Sequence, residues 1–510
     1  MVQPIKIKNF IDGRWVEAIQ KRTFERENPA FTDRIVAIVP RSTAQDVDAA
    51  VAAARKAFPA WRDLPAPKRG EILFRVSELL LKNKDRLGDL VANEMGKVKK
   101  ESYGDVQEAI DMGYFMAAEG RRLYGETMPS ELPDKSIRTI RQPLGVFAVL
   151  TPWNFPMAIP AWKLFPALVS GNTVVFKPSQ YTSACAYEMV KIFEEAGLPP
   201  GVLNLVTGFG DEIGDYLVQH PGINGVTFTG STAVGKKIGA FCGANLRKHS
   251  LEMGGKNVII VMDDANLDLA VEGCIWAAFG TTGQRCTAAS RIIVHKKVYE
   301  EFRDKLVKAA QNLKLGYALD KVIDMGPLVN ADALNKTEKY MEIARKEDKA
   351  KIICGGKRAT GKGLEKGYFF EPTIFEEVTP AMRIFCEEIF GPATALTVAK
   401  DLDQAIEYAN SSDYGLSASI FSTNVYNTEK AANLLQTGLV YVNTSTIGAE
   451  IQTPFGGLKN TGNGHRDAGG KGGAIDTFTE MKVISVDYSG KIQKAQIQEN
   501  KGTETRQNRT

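Results

Sequence analysis

Short apolar strands, each followed by a glycine turn and a helix, recur along the middle of this chain. The stretches GVLNLVTGFGDEIGDYLV, INGVTFTGSTAVGKKIGAF and KNVIIVMDDANLDLAVEGCIWAAF all have this pattern. Continuous apolar strands separated by helices predict a buried parallel sheet with helices on both faces. A second series, which includes SRIIVHKKVYEEFRDKLVKAA and GLVYVNTS, predicts a second lobe of the same kind. The predicted fold class is therefore α/β.

Composition excludes several classes of protein. The 510 residues exceed what one hydrophobic core supports, so we expect two or three lobes. A net charge of +4 without a dense basic block argues against nucleic-acid binding. No apolar run reaches the ~18–20 residues of a membrane span, and the N-terminus does not resemble a signal peptide. Six cysteines without a C-x-x-C pair, and four histidines without ligand-like spacing, argue against disulfides and metals and favour a cytoplasmic location.

Two extended stretches differ from the α/β units around them. Residues 121–141 place turn residues between short extended segments, as a hairpin would, and FTEMKVISVDYSG near the end is a lone strand. Extended segments without a sheet of their own indicate an edge used for subunit pairing. Residues 491–510 are polar and are expected to form a loose tail.

Two glycine-rich turns indicate phosphate binding. GSTAVGKK, from Gly230 to Lys237, comes within one residue of a Walker A loop, but that motif needs Ser or Thr after its lysine to hold magnesium. Lys237 occupies this position, which disfavours a nucleotide triphosphatase. TGFGDEIG places Gly208 and Gly210 before Gly214, one residue longer than the G-x-G-x-x-G spacing. Together the turns favour a dinucleotide bound at one sheet edge, with its phosphates at helix N-termini.

The stretch FGTTGQRCTAASR places Cys286 after a Gly-Gln-Arg turn. A free cysteine is only a few per cent thiolate at neutral pH, so a nucleophilic role needs a helix N-terminus or a nearby positive charge. A lone cysteine in an α/β chain is more often a core residue. The Gly, Thr, Gln and Arg residues around Cys286 are not a core composition, and they favour the nucleophile.

Seven motifs in order carry a resemblance to a known family. FIDGRW, TPWNFP, FKPSQ, SLEMGGKN, GTTGQRCT, EEIFGP and PFGGLKNTG follow one another along the chain, and this order resembles the aldehyde dehydrogenase superfamily over nearly the whole length. The resemblance implies a Rossmann-like cofactor lobe, an α/β catalytic lobe and a β-strand oligomerisation flap. It also implies a homo-oligomer, dimer or tetramer, that oxidises an aldehyde with NAD or NADP and no metal. The implied division is a cofactor domain of 1–120 and 142–253, a catalytic domain of 254–450, oligomerisation segments of 121–141 and 451–490, and a tail of 491–510.

The resemblance implies three catalytic residues. Cys286 matches the cysteine whose thiolate attacks the aldehyde, and Asn154 matches the asparagine that donates to the resulting alkoxide. Glu252 matches the base that activates water to release the acid. Relatives that pass the acyl group to coenzyme A lack this carboxylate, so Glu252 favours hydrolysis. Taken alone, Asn154 reads equally as a turn cap and Glu252 as a surface carboxylate, but the intact trio argues against a non-catalytic structural relative.

The resemblance also implies a set of cofactor residues. Lys177 matches the lysine on the adenine ribose, Ser231 the serine on the pyrophosphate and Glu388 the glutamate on the nicotinamide ribose. NAD-preferring relatives often have a glutamate three residues after the lysine, where this chain has Gln180. NADP is therefore left open and NAD is slightly favoured. The other implied cofactor residues are Trp153, Gly210, Gly230 and Phe390.

The substrate is less constrained by chemistry. GQRCT, TIGAEI and DVQEAID resemble the antiquitin-like branch, the α-aminoadipic semialdehyde dehydrogenases, in which Arg285 and Glu108 would pair with a carboxylate and an ammonium. Gly448 and Ala449 would cradle the carboxylate through their backbone. TPFGGLKNTG and TPWNFP instead resemble semialdehyde dehydrogenases of sugar-acid breakdown. Arg285 reads equally as a residue that braces the loop through backbone carbonyls or lowers the pKa of Cys286. We expect a carboxylate-bearing semialdehyde, with a general aliphatic aldehyde as the alternative.

Overall fold

The computed structural model describes residues 3–320 and 322–494, and the tail predicted for 491–510 lies outside them from residue 495 on. The strands, in chain order, are β1 Ile5–Lys6, β2 Asn9–Ile11, β3 Arg14–Val16, β4 Thr23–Asn28, β5 Phe31–Pro40, β6 Thr127–Met128, β7 Lys135–Pro143, β8 Val146–Leu150, β9 Thr173–Lys177, β10 Leu203–Leu205, β11 Gly225–Thr229, β12 Lys248–Glu252, β13 Asn257–Val261, β14 Ala289–His295, β15 Lys351–Cys354, β16 Thr373–Glu376, β17 Ala393–Ala399, β18 Tyr414–Gly415, β19 Ser417–Phe421, β20 Leu439–Val442, β21 Leu458–Lys459 and β22 Thr479–Asp487.

The α-helices lie between these strands and cover the faces of the sheets. They are α1 Ala44–Asp63, α2 Ala66–Lys82, α3 Lys84–Met95, α4 Lys99–Glu119, α5 Ala158–Val169, α6 Ser183–Glu195, α7 Asp215–Gln219, α8 Thr232–Ala244, α9 Leu267–Phe279, α10 Tyr299–Gln311, α11 Ala331–Lys346, α12 Arg383–Cys386, α13 Leu402–Asn410, α14 Val425–Leu434 and α15 Ile475–Phe478. Within the described residues, no helix has the length and apolar character needed to cross a membrane.

Seven strands form a first sheet in the order β12-β11-β8-β9-β10-β2-β3. The strands from β12 to β10 are parallel, and β2 and β3 close one side as antiparallel strands. Strands β8 and β9 are buried along their whole length because helices cover both faces. Parallel strands end at the same edge of a sheet, so the residues after Lys177, Thr229 and Glu252 gather along one edge.

A second seven-stranded sheet has the order β15-β16-β17-β14-β13-β19-β20 and is parallel except for β15. Strand β12 of the first sheet ends at Glu252 and β13 of the second begins at Asn257. The chain thus crosses from one sheet to the other through residues 253–256. The predicted α/β class with two parallel sheets is confirmed, and the domain boundaries stay a prediction.

The two extended stretches pair with each other in a separate sheet of order β22-β7-β6. Strand β6 and β7 form the predicted hairpin, and β22 runs antiparallel to β7 over nine residue pairs, from Thr479 opposite Pro143 to Asp487 opposite Lys135. The expectation that these segments lack a sheet of their own is therefore wrong. Sequence alone hides this pairing because the partner strands lie more than 300 residues apart. One edge of β22 has no neighbouring strand among the described residues.

Candidate active site

Cys286 lies on the loop between α9 and β14. The loop opens with a tight 3-10 turn in which Thr281 and Thr282 have the left-handed φ values of 51° and 59°. Asn257, the first residue of β13, then fixes the loop, because its side-chain amide donates to the carbonyl oxygens of Cys286 (2.7 Å) and Ala288 (2.9 Å). The side chain of Cys286 stays partly exposed.

The crossing segment approaches this loop through two glycines. A Cβ on Gly255 would lie 2.5 Å from the carbonyl oxygen of Cys286, and one on Gly254 would lie 2.6 Å from Glu388 Oε2. The backbone N–H of Gly255 donates to Glu388 Oε1 at 2.8 Å. The absence of side chains here lets the cysteine loop and Glu388 pack against the same stretch of backbone.

The surroundings raise the pKa of the Cys286 thiol to about 12. Burial is the main cause, and the carboxylates of Glu252 and Glu388 add to it. The net shift of the thiol pKa is upward, and the main causes that lower it are backbone hydrogen bonds from Thr287 and Cys286 and not Arg285. A thiol in this setting becomes a thiolate only when a base takes its proton.

Asn154 and Cys286 border the same cavity. The amide of Asn154 is 3% exposed, and its Nδ2 donates to the carbonyl oxygen of Gln284 at 3.1 Å. An amide nitrogen carries two N–H bonds, so the second can donate to an oxyanion that forms at Cys286.

Glu252 is the last residue of β12 and is 3% exposed. Its Oε1 has no hydrogen-bond partner within residues 3–320 and 322–494. Burial raises the pKa of this carboxyl well above its ordinary value, Asp467 raises it further, and Lys163 and Arg466 lower it. A carboxyl with a raised pKa is suited to general-base work near neutral or alkaline pH.

A buried ion pair that the sequence motifs did not predict lies near Glu252. Lys163 Nζ lies 2.6 Å from Asp467 Oδ2 and donates to Thr227 Oγ1 at 2.9 Å. Ser250 Oγ donates to the other oxygen of Asp467 at 3.3 Å, so the pair joins α5 to the first sheet. A lysine inside the apolar stretch AWKLFPAL was the available signal, because a lysine is rarely buried unless paired.

Six predicted cofactor or catalytic residues border one cavity of about 320 Å³ beside Cys286. The rings of Trp153 and Phe390 meet edge to face there, with centroids 5.5 Å apart. Ser231 is the N-cap residue of α8, whose first backbone N–H groups face outward as anion donors. The six residues are Trp153, Asn154, Gly230, Ser231, Glu388 and Phe390. Aromatic walls, a helix N-terminus and a buried carboxylate fit the nicotinamide half of a dinucleotide.

Three further predicted cofactor residues follow neighbouring strands of the first sheet. Lys177 ends β9, Gln180 begins the 3-10 turn after it, and Gly210 begins the turn after β10. The Lys177 ammonium is buried and donates to the carbonyl oxygen of Pro178 at 3.0 Å, and burial lowers its pKa to about 8. This row of strand ends is the expected position for the adenosine half of a dinucleotide.

A second cavity, of about 140 Å³, also borders Cys286. All four predicted substrate residues border it, namely Glu108, Arg285, Gly448 and Ala449. The rest of its wall is largely apolar and includes Phe155, Trp162, Ile447 and Phe455. An apolar chamber with charged groups at selected points suits a short carbon chain with one polar end.

The guanidinium of Arg285 is already paired. Its Nη2 lies 2.9 Å from Glu101 Oε1, both side chains are buried, and its Nε donates to Thr281 Oγ1 at 2.8 Å. The indole of Trp276 stacks against it at 4.7 Å. Arg285 therefore braces the turn before Cys286, through side chains and not through the backbone carbonyls that the sequence suggested. Glu101 was not singled out from the sequence.

Glu108 lies on the same helix, α4, as Glu101. Burial is the main cause that raises the pKa of the Glu108 carboxyl to about 8, and Asp105 adds to it, while Lys97 and Arg285 lower it. The carboxyl is therefore mostly protonated at neutral pH and can donate a hydrogen bond into the cavity.

The described part of the chain contains no cluster of histidine, cysteine, aspartate or glutamate side chains that could hold a metal ion.

The site and the fold together define a cysteine-based oxidoreductase with a dinucleotide cleft. The model of the aldehyde dehydrogenase family matches residues 15–484, and the chain belongs to this family and is an NAD(P)-dependent aldehyde dehydrogenase.

Individual relatives agree with this assignment. The chain is 42% identical to the α-ketoglutaric semialdehyde dehydrogenase of Bacillus subtilis, over 94% of this chain and 97% of the relative. It is 39% identical to the D-glyceraldehyde dehydrogenase (NADP+) of Picrophilus torridus, over 95% and 97%. A crystal structure of betaine aldehyde dehydrogenase from Staphylococcus aureus with NAD+ superposes with a TM-score of 0.92 at 33% identity, over 95% of each chain.

The ion pair between Lys97, just before α4, and Asp105 of α4 generates a prediction about stability. Lys97 and Asp105 form a fully buried ion pair of 3.1 Å, and Asp105 also accepts from the N–H of Ala158 at 2.7 Å. Asp105→Asn should destabilise the fold by about 3–5 kcal/mol, because it leaves the Lys97 charge buried and uncompensated. Urea unfolding followed by intrinsic fluorescence measures the loss. Asp111→Asn, at an exposed position of the same helix, is the control, and equal stability of the two variants would contradict the prediction.

Proposed function

We propose that this aldehyde dehydrogenase oxidises a carboxylate-bearing semialdehyde, with α-ketoglutarate semialdehyde as the first candidate. One observation carries the proposal: Cys286 borders two cavities at once, one with Glu108 and Arg285 in its wall and the other with Trp153 and Glu388. A thiol at this junction can meet an aldehyde from one side and a nicotinamide from the other. The relative from Bacillus subtilis supports the choice of substrate.

The residues divide the chemistry between them. The thiol of Cys286 first loses its proton to solvent water. Its sulfur then bonds to the aldehyde carbon, and Asn154 Nδ2 and the Cys286 N–H donate to the oxygen that becomes negative. The nicotinamide, when bound, supplies the hydride acceptor. Glu252 takes a proton from the water that attacks the resulting thioester, and the C–S bond breaks to release the acid and the Cys286 thiolate.

An absorbance assay of cofactor reduction tests this function. The wild-type protein should reduce NAD or NADP with α-ketoglutarate semialdehyde at a higher kcat/KM than with succinate semialdehyde or an uncharged aliphatic aldehyde. Cys286→Ala should lower the rate by at least about 10⁴-fold, because the covalent route is lost. Cys354→Ser, on the distant strand β15, is the control and should keep the rate. Turnover by Cys286→Ala, or a preference for the uncharged aldehyde, would refute the proposal.

Glu108 favours a second candidate, a semialdehyde that carries an ammonium beside its carboxylate. A protonated Glu108 can donate to a carboxylate or keto oxygen, whereas an ionised Glu108 can pair with an ammonium. The pKa of about 8 allows either state. The two candidate substrates therefore differ in which form of one side chain they need.

Glu108→Gln separates the candidates, because the amide keeps a hydrogen-bond donor and removes the charge. With α-ketoglutarate semialdehyde, kcat/KM should stay within about threefold, and with α-aminoadipic semialdehyde it should fall by about 100-fold. The wild-type kcat/KM for the keto substrate should fall above pH 8, where Glu108 ionises, and Glu108→Gln should abolish that fall. If Glu108→Gln lowered kcat/KM more for the keto substrate than for the amino substrate, Glu108 would not pair with an ammonium. That result would contradict the role proposed here for its ionised form.

We propose NAD as the preferred cofactor. Both cofactors occur among the relatives, since one carries NADP+ in its name and another was crystallised with NAD+. Gln180 is neutral and does not repel the 2′-phosphate of NADP, so we expect measurable activity with NADP as well.

Gln180→Glu should sharpen the preference for NAD. The added carboxylate would repel the 2′-phosphate and raise the KM for NADP by at least about tenfold, while the KM for NAD should change little. Initial rates with both cofactors on one enzyme preparation provide the measurement and its internal control. A KM for NADP that does not change would mean that residue 180 lies away from the ribose.

We propose that the β22-β7-β6 sheet mediates a homo-oligomer. Its outer strand exposes apolar side chains, among them Met481, Val483 and Val486, along an edge that could pair with a second copy. Dimer and tetramer remain equal alternatives for this proposal.

A further inference from the structure

A glycine lies between two side chains of opposite charge at the back of the active site, the buried Glu252 and the partly exposed Arg466. A Cβ on Gly456 would lie 2.5 Å from Glu252 Oε1 and 3.0 Å from Arg466 Nη1. The distance between Glu252 Oε1 and Arg466 Nη1 therefore cannot exceed the sum of these two distances. Both atoms border the space that a side chain at residue 456 would fill. The φ of Gly456 is +152°, a value that residues with a side chain rarely adopt.

Both charged atoms lack a hydrogen-bond partner. Across the described residues, Glu252 Oε1 and Arg466 Nη1 are each buried without a donor or acceptor in reach. A buried charged atom without a hydrogen-bond partner destabilises the fold. Two such atoms of opposite charge beside the same space can therefore become each other's partner.

The other titratable groups near Glu252 come from three elements. Asp467, on the same loop as Arg466, carries a like charge, although Lys163 of α5 is paired with it. Cys286 faces Glu252 from the nucleophile loop. Arg466 is therefore the cation near Glu252 that is not already held by a carboxylate in an ion pair within the described residues.

We propose that Arg466 is a positioning residue for the general base: it pairs with Glu252 Oε1 across Gly456 whenever that carboxyl is ionised. The inference rests on the proposed role of Glu252. The pair holds the carboxylate ionised and leaves Oε2 to face the water that attacks the thioester. When Glu252 takes the proton from that water, its charge is lost and the pair loosens until the proton leaves. Gly456 is required because a side chain there would keep the two charges apart.

The two half-reactions provide the test. The burst of reduced cofactor reports acylation of Cys286, and the decay of the thioester, followed by mass spectrometry after quenching, reports deacylation. Arg466→Gln should keep the burst rate within about twofold and slow deacylation by at least about tenfold at pH 7. The apparent pKa of the deacylation rate should rise by about one unit or more, because an opposite charge near the carboxylate is lost. Arg466→Lys keeps the charge and should restore the wild-type pH profile.

Gly456→Ala should reproduce the Arg466→Gln defect. Gly464→Ala is its matched control, because Gly464 lies on the same segment with φ +90° but a Cβ there would meet nothing within 4 Å among the described residues. Equal slowing by both alanines would mean backbone strain and overturn the inference. An unchanged pH profile in Arg466→Gln, or an equal loss in Arg466→Lys, would also overturn it. Glu252→Gln separates failure of the general-base role of Glu252 from failure of the positioning role of Arg466. If Glu252→Gln leaves deacylation intact, Glu252 is not the general base. If it slows deacylation while Arg466→Gln does not, only the positioning role of Arg466 is wrong.

Discussion

The side-chain amide of Asn257 donates to the carbonyl groups of Cys286 and Ala288, and its own oxygen accepts from the N–H of Ser417 at 3.0 Å. This one buried group joins the nucleophile loop to two strands of the second sheet. Asn257 also stands five residues after Glu252 in the chain, so the nucleophile and the base share one support. Without it, buried carbonyl groups would lack partners at about 1–3 kcal/mol each, and the loop could no longer hold the sulfur between its two cavities.

The two cations on the substrate side of the site are already paired with buried carboxylates. Arg285 is held by Glu101, and Lys97 is held by Asp105 on the same helix. Net attraction for an anion is therefore weaker than the sequence GQRC suggests. A carboxylate would then be recognised by hydrogen-bond donors as much as by a free cation, and the proposed choice of substrate therefore depends on the protonation state of Glu108.

The sequence predicted the parts of the site that follow local rules. The glycine turns marked Gly210 and Gly230, and the family resemblance named Lys177, Ser231, Cys286 and Glu252, whose roles stay predictions. The sequence did not predict the pairings between residues that lie far apart in the chain. The Lys163–Asp467 contact spans 304 residues, Glu101–Arg285 spans 184, and strand β22 finds its partner β7 from the far end of the chain. Nothing local marks these partners, because each residue alone is consistent with a solvated charge or a lone strand.

Burial shifts several titratable groups of the cleft against their charged forms. The pKa values of Cys286, Glu252 and Glu388 rise, and those of Lys177 and Lys256 fall, in each case chiefly through loss of water. A cleft that excludes water protects a thioester from uncontrolled hydrolysis, but it also suppresses the thiolate and carboxylate that the chemistry needs. Each reactive group therefore needs a specific neighbour that stabilises its charged form when it reacts. The proposed pairing of Arg466 with Glu252 is such a case, in which a residue that does not touch the substrate would set the rate.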